Sequence, residues 1–265
     1  MNLKDISQTA IYTLLGRVVQ TEKRNPIFND PMAVLCYEKI LLMATEKEKK
    51  RFIKVKKFFS GKFASGGNQK VAAHRILYLD QLANDYISSH PACTVINLAC
   101  GLDTRFWRID HKNCKYIELD LPEVIELKKE LLQEHITYEQ ISCSVLDTTW
   151  IDQVTLKGNM NFLLIAEGVF MYLKKQNAIN LLQAISKKFD RSQLALDVFD
   201  EKYTKGLWQL FFKWSYKKFY GIDVTLEFGI KKPKDIESYA VGFKVIDVKE
   251  EGGWYFITAS NEKAG

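Results

Sequence analysis

From residue 94 onward, the hydrophobic and polar positions of the chain switch between two patterns. Short apolar, β-branched runs predict buried strands, and the longer amphipathic stretches between them predict helices. The predicted strands are 94–98, 115–119, 138–142, 162–166 and 194–198. The predicted helices between them are 104–109, 122–135, 150–155 and 175–189. Such alternation favours a doubly wound, mostly parallel α/β sheet, completed by an antiparallel hairpin at 243–248 and 255–260.

The chain before residue 91 carries helical patterns only. Apolar positions recur with helical spacing over 6–23 and 69–88, and Asn29-Asp30-Pro31 is typical of a helix start. We therefore expect a helical N-terminal region, 1–90, on the acceptor side of a core domain, 91–265, with an aromatic-rich insertion at 201–222. The Gly- and Ser-rich stretch 60–67 predicts a hinge or flap.

Composition excludes several classes of protein. The 265 residues are 47% hydrophobic and 26% charged, as in ordinary globular proteins, and no apolar run approaches the roughly 18 residues of a membrane helix. The five cysteines are odd in number and form no CxxC pair, which argues against a disulfide framework or zinc. We expect a cytoplasmic protein without membrane insertion.

The net charge of +6 is concentrated in one segment. Residues 46–70 hold nine basic residues against Glu46 and Glu48, a local charge of +7. An apolar stripe at helical spacing runs beneath this cationic face, so an anionic ligand, a membrane or nucleic acid are conceivable partners. A solvated helix face with snorkelling lysines is the favoured interpretation, and no nucleic-acid partner is predicted.

The candidate ligand site follows the strand Thr94 to Leu98. Small residues, Ala99 to Gly101, would let a ligand approach the backbone there, and Asp120 ends the next strand nineteen residues after Gly101. This spacing suits a site for an adenosine-type ligand, although an ordinary strand-to-helix turn has similar features. Other acids also follow strands, and Glu167-Gly168 is the pair for which a functional role is favoured over helix capping.

Several motifs in order resemble the leucine carboxyl methyltransferase family, which includes bacterial O-methyltransferases of polyketide tailoring. They are Thr9-Ala10, Arg17, 29–33, 72–80, 97–108, 120–123, Trp150 and 166–173, and they span nearly the whole chain. The resemblance implies a seven-stranded Rossmann-like methyltransferase sheet and S-adenosylmethionine as cofactor. It further implies a small-molecule acceptor; the oligomeric state stays open.

The resemblance also implies roles for particular residues. Arg75 would hold the methionine carboxylate, Ala99 and Gly101 would line the methionine, and Asp120 would take the ribose hydroxyls. Leu121 would be a further cofactor-binding residue. Adenine would lie against Val145 and Leu146. Glu167 would lie near the amino group and sulfonium, and Glu167 and Tyr172 are the candidate catalytic residues.

Two positions depart from the family pattern. Glycine is usual where Ala99 stands, so we expect a negative φ there and a methyl group that clears the cofactor. An acid is common where Val145 stands, which leaves the adenine amino group to Ser144, Asp147 or water. The neighbour of Arg75, His74, is a weaker candidate for the site.

The acceptor itself is less well determined. An ionised carboxylate needs no general base, whereas a hydroxyl acceptor does; the resemblance slightly favours carboxyl methylation. Seven aromatic residues in 207–220 would form either an apolar roof over an aromatic or fatty acceptor or a core helix. Two alternatives remain. One is a nicotinamide-dependent oxidoreductase, although this chain lacks the full glycine fingerprint and the YxxxK pair of such enzymes. The other is a non-catalytic interaction module.

Overall fold

The computed structural model describes residues 8–61, 68–156, 161–220 and 223–262. Most of the predicted flap, residues 62–67, lies outside this range. Nine α-helices occur in the described residues: α1 Gln8–Thr21, α2 Pro31–Met43, α3 Glu46–Ser60, α4 Asn68–Ser89, α5 Pro122–Leu132, α6 Thr149–Thr155, α7 Lys175–Lys188, α8 Gly206–Ser215 and α9 Asp235–Tyr239. None of these described helices is long and apolar enough to cross a membrane.

The strands form one mixed sheet. They are β1 Cys93–Leu98, β2 Cys114–Asp120, β3 Glu139–Ser142, β4 Phe162–Ala166, β5 Arg191–Asp200, β6 Gly229–Ile230, β7 Lys244–Glu251 and β8 Trp254–Glu262. Their order is β3-β2-β1-β4-β5-β8-β7, and the predicted hairpin β7–β8 adds to β5 in antiparallel fashion. The seven predicted strands thus form this path, and the unpredicted two-residue β6 pairs in parallel beside the end of β5.

The sheet is buried on both faces at its centre. Every residue of β1 and β4 is buried, as the mostly apolar run of β1 and the continuous apolar run of β4 predict. Ile96 and Leu164 pack into the larger core, on one face, with α6 and α7; Val95 and Leu163 pack with α4 on the other. Because β1 and β4 are neighbours and parallel, their carboxyl ends meet at one edge, where ligands bind in open α/β sheets.

The N-terminal helices share a further apolar cluster. Leu14 of α1, Ile40 of α2 and Phe52 of α3 pack there together with Leu131 of α5. Asp30 begins α2 as predicted, because its Oδ1 accepts a hydrogen bond from the Ala33 amide at 3.0 Å and Pro31 follows it. These contacts hold α1 beside the strand tips. The proposed division at residue 90 stays a prediction.

One predicted helix is wrong. In place of an α-helix over 104–109, the chain makes a single 3-10 turn at Arg105–Trp107. The turn buries Arg105 among carboxylates that lie elsewhere in the chain, and the helical pattern of the sequence carries no sign of those partners. The predicted helix 122–135 is real but ends at Leu132, followed by a 3-10 turn.

Candidate active site

The turn after β1 is held by the carboxylate that ends β2. Asp120 accepts hydrogen bonds from the Gly101 amide, at 2.6 Å, and from the Leu121 amide, at 2.7 Å. Gly101 has a φ of +53°, which glycine adopts without strain. Asp120 therefore connects the carboxyl ends of β1 and β2, and its carboxylate lies at the edge of the sheet.

Ala99 contradicts the negative φ that we expected. Its φ is +48°, in the left-handed region where a Cβ is crowded by the backbone. An ordinary residue there costs about 1–2 kcal/mol relative to a relaxed conformation. The turn therefore keeps the shape that glycine would favour, although an alanine occupies the position.

A second cluster lies where β4 and β5 end. Arg75 of α4 donates to Glu167 from one Nη at 2.8 Å and to Asp197 from the other at 3.0 Å. Arg105 donates to the second oxygen of Glu167 at 2.5 Å, and the Gly168 amide donates to Asp197 at 2.5 Å. Glu167 is therefore fixed between two guanidinium groups at the rim of the sheet.

These contacts determine the protonation of the acids. Burial raises the pKa of Glu167, but the charges of Arg75 and Arg105 outweigh burial and hold that pKa below its ordinary value. At Asp197, burial dominates and raises the pKa despite Arg75. Burial also raises the pKa of Asp120, against its two amide hydrogen bonds. Glu167 is thus a stable carboxylate and a weak base.

A web of buried charges supports this rim from behind. Arg105 pairs with Asp80 at 2.9 Å and with Asp103 at 2.8 Å, and Arg108 pairs with Asp30 at 2.7 Å and with Asp80 at 2.7 Å. The web connects the turn after β1 to α2 and α4. The sequence identified Asp30 as part of a helix start only. It assigned no role to Arg105 and Arg108, whose Arg-x-x-Arg spacing is the one hint of paired partners.

One cavity of about 1240 Å³ opens at this edge of the sheet. All nine residues predicted for the site line it: Arg75, Ala99, Gly101, Asp120, Leu121, Val145, Leu146, Glu167 and Tyr172. Among them, Leu121 and Leu146 keep 41% and 39% of their surface exposed. Their individual roles stay predictions.

The remaining candidate residues differ in whether they line the cavity. Ser144, which was expected to be one alternative for the adenine amino group, lines the cavity, whereas Asp147 does not. His74 lies outside the cavity lining and contacts Glu251 at 2.9 Å. Tyr172 hydrogen-bonds with Tyr216, and burial raises the pKa of Tyr172 to about 12.

A large part of the cavity lining is aromatic, and we call this part the aromatic wall. It comprises Phe58 and Phe59 of α3, Trp208, Phe211 and Phe212 of α8, and Phe199, Tyr203, Tyr216 and Trp254 nearby. The predicted aromatic segment therefore faces the cavity, and no residue of α8 is fully buried. The α1 residues Thr13, Arg17 and Gln20 also line the cavity, although sequence reasoning assigned them no part in it.

Comparison with known proteins agrees with this geometry. The family model described as leucine carboxyl methyltransferase matches residues 10–186. The tetracenomycin polyketide synthesis O-methyltransferase TcmP of Streptomyces glaucescens is 26% identical over 92% of this chain and 82% of its own. The S-adenosyl-L-methionine-dependent methyltransferase dpfgK of Gibberella zeae is 24% identical over 71% of this chain and 63% of its own.

A solved structure shares the fold. An O-methyltransferase family protein from Burkholderia thailandensis superimposes with a TM-score of 0.50 at 12% identity, over 92% of this chain and 75% of its own. The predicted resemblance, α/β fold and enzyme class are confirmed by these matches, together with the predicted dependence on S-adenosylmethionine. The oxidoreductase and the non-catalytic module are not favoured by them.

Proposed function

The chain belongs to the leucine carboxyl methyltransferase family, and we propose that it transfers the methyl group of S-adenosylmethionine to a carboxylate of an apolar or aromatic small molecule. One observation carries the proposal most directly. A single cavity is lined both by every predicted cofactor residue and by the aromatic wall. A volume of about 1240 Å³ exceeds the usual range for one drug-sized ligand, so it suits a cofactor and an acceptor together.

The cofactor side fits S-adenosylmethionine in chemistry as well as in size. The exposed faces of Leu121 and Leu146 would sandwich an adenine ring, and Asp120 would accept hydrogen bonds from ribose hydroxyls. Gly101 and Gly168 adopt positive φ and carry no Cβ, so both turns let a ligand approach the backbone. When bound, the cofactor supplies a methyl group on a positively charged sulfur.

Arg75 offers the donor for the methionine carboxylate. Both Nη atoms already bond carboxylates, but its Nε is buried and finds no acceptor in the described residues. An unsatisfied buried N–H is costly, and an incoming carboxylate would satisfy it. Glu167, ionised between its two arginines, would attract the amino group and the sulfonium charge.

The protonation states favour a carboxylate acceptor. Glu167 is a weak base because its pKa is lowered, and the pKa of Tyr172 lies at about 12, far above neutral pH. No histidine among the described residues lines the cavity. A carboxylic acid is already ionised at pH 7, so the protein need only align its oxygen with the methyl group and the sulfur. The aromatic wall would hold the apolar body of the acceptor and exclude water.

Calorimetric titration with S-adenosylhomocysteine tests the proposal. Wild-type protein should bind it, NADH should give no signal, and Asp120→Ala should weaken binding tenfold or more, about 1.4 kcal/mol. Asp147→Ala removes an exposed acid that follows a neighbouring strand outside the cavity, so it should bind as the wild type does. Thermal melts confirm that both variants are folded.

An acceptor screen then separates the two reaction types. Paired aromatic acids and phenols, offered with S-adenosylmethionine, should give methyl esters from the acids. Methyl ethers from the phenols alone would overturn the carboxylate assignment. Absence of S-adenosylhomocysteine binding in folded wild-type protein would overturn the cofactor site itself.

A further inference from the structure

Helix α8 exposes an apolar stripe to solvent. Leu207, Leu210, Phe211 and Trp214 recur at helical spacing, and their exposed fractions are 84%, 63%, 53% and 50%. The opposite side of the helix carries Phe212, which packs against Phe199 and Tyr203. One side of α8 therefore packs against the protein through Phe212, and the apolar stripe on the other side faces solvent.

Lysines flank the exposed stripe. Residues 205–223 contain four lysines against one acidic residue, Asp223, a local charge of +3. Lys213 and Lys217 lie 3.3 and 3.9 Å from Asp223, and Lys218 lies 4.5 Å from the ring centre of Trp214. An exposed helix with leucine and tryptophan on one side and lysine beside it has the composition of an interfacial membrane helix.

Helix α3 presents a similar face. Its exposed side chains at helical spacing are Lys50, Ile53, Lys54, Lys57 and Phe58. Residues 46–60 carry seven basic and two acidic residues, a charge of +5. The cationic segment of the sequence thus forms a helix with two different sides. Its exposed side is both apolar and cationic, and its buried side packs against the protein.

The two helices meet at the cavity. Phe58 of α3 and Trp208 and Phe211 of α8 line it while remaining 37%, 53% and 53% exposed, so they lie at its mouth. Val224, shortly after α8, packs against the cluster that contains α3. Residues of both α3 and α8 therefore border the cavity, and lysines of the same two helices adjoin these exposed apolar residues.

We infer that this face, formed by α8 and the exposed side of α3, docks on an anionic lipid surface with the cavity mouth toward the bilayer. The apolar stripe would enter the boundary between headgroups and acyl chains, and the lysines would contact lipid phosphates. An apolar ligand could then reach the cavity from the lipid phase. The docking itself does not depend on methyl transfer.

A second copy of the chain fits this face less well than a bilayer does. A two-fold symmetric pair would bring two copies of the same cationic patch together, because an isologous interface joins the same patch on both subunits. Like charges at close range oppose such pairing. Lipid phosphates supply the complementary charge.

Vesicle sedimentation tests the docking. Wild-type protein should pellet with vesicles of phosphatidylcholine and phosphatidylglycerol, and much less with phosphatidylcholine alone. Raising salt from about 0.1 M to about 1 M should weaken binding, since the screening length falls from roughly 10 to 3 Å. The double variant Leu207→Glu/Leu210→Glu should lower the partition coefficient about tenfold or more, because both side chains would leave the apolar layer.

A matched control separates docking from general effects of charge. Val241→Glu changes a side chain that is 91% exposed and lies outside the cavity lining, so it should bind vesicles as the wild type does. Leu207 and Leu210 do not line the cavity, so the double variant should still bind S-adenosylhomocysteine. Wild-type protein that stays in the supernatant, or a double variant that pellets equally well, would overturn the inference. So would light scattering that shows a dimer which the double variant dissociates.

Discussion

The two sides of the cavity are built in opposite ways. On the strand-tip side, the charged side chains are buried, and Glu167 has a guanidinium on each carboxylate oxygen. On the α8 side, side chains are apolar and half exposed, and no residue of the helix is fully buried. Contacts within the protein therefore hold the charged side chains of the strand-tip side in place. The exposed apolar side chains of α8 are instead available to a ligand or to another surface.

This difference indicates how the site divides its tasks. Methyl transfer needs the cofactor held in one orientation, which ionic hydrogen bonds of defined direction provide. Recognition of an apolar acceptor needs contact area more than direction, which exposed aromatic side chains provide. We therefore expect changes to the buried ion pairs on the strand-tip side to alter stability, and changes on the α8 side to alter binding of the acceptor.

The largest expected effect is the loss of Arg105. Its side chain is fully buried and bonds Asp80, Asp103 and Glu167, so Arg105→Leu leaves three buried carboxylates short of a cation. Removing one partner of a buried ion pair costs about 3–5 kcal/mol. Urea unfolding followed by circular dichroism measures the loss.

Phe211→Ala, on the α8 side, is the matched comparison. This half-exposed ring makes its contacts at the cavity mouth, so truncation should change the free energy of unfolding by under about 1 kcal/mol. Equal losses from Arg105→Leu and Phe211→Ala would contradict the division between the two sides.

The sequence predicted the sheet and its edge well for a definite reason. Buried strands such as Phe162–Ala166 are continuous apolar runs, and the residues that follow them must reach the carboxyl edge of the sheet. Asp120 and Glu167 could therefore be placed in one site from local pattern and chain order. Their grouping with Arg75, in contrast, followed from the family resemblance.

The ionic web could not be predicted in the same way. Arg105 pairs with residues 25 and 62 positions away, and Arg108 with one 78 positions away. In the sequence, such residues have the appearance of solvent-exposed charges, because nothing local reveals a distant partner. The same lack of information produced the wrong helix over 104–109, where pairing of Arg105 accompanies a single 3-10 turn.

Glu167→Gln should produce an intermediate, pH-dependent effect. The lowered pKa of Glu167 stabilises the folded wild type above the ordinary carboxyl pKa of about 4.3, and this stability is lost as pH falls through the lower folded pKa. At pH 7 the variant should lose about 1.5–3 kcal/mol, the range for hydrogen bonds to charged groups. The gap to the wild type should narrow toward pH 3, as measured by urea midpoints across pH.

Asp197→Asn gives the opposite trend and so serves as the control. The folded pKa of Asp197 is raised, so wild-type stability increases as pH falls through that pKa toward the unfolded value. The difference between the wild type and Asp197→Asn should therefore grow in favour of the wild type at low pH. Parallel trends for the two variants would show that the arginines do not distinguish these carboxylates.

The smallest expected effect concerns the strained turn at the cofactor side. Ala99→Gly removes a Cβ from a residue with φ of +48°, which relieves about 1–2 kcal/mol of strain but costs about 0.5–1 kcal/mol in backbone entropy. The net gain in stability should be under about 1.5 kcal/mol, a rise in Tm of a few degrees for a chain of this size.

Ala92, with φ of +63°, is the matched position outside the cavity. Ala92→Gly should give a similar rise in Tm and leave S-adenosylhomocysteine affinity unchanged. Ala99 lines the cavity. Tighter S-adenosylhomocysteine binding in Ala99→Gly alone would therefore show that the Ala99 methyl group hinders the cofactor. Equal affinity in both variants would show that the methyl group clears the cofactor.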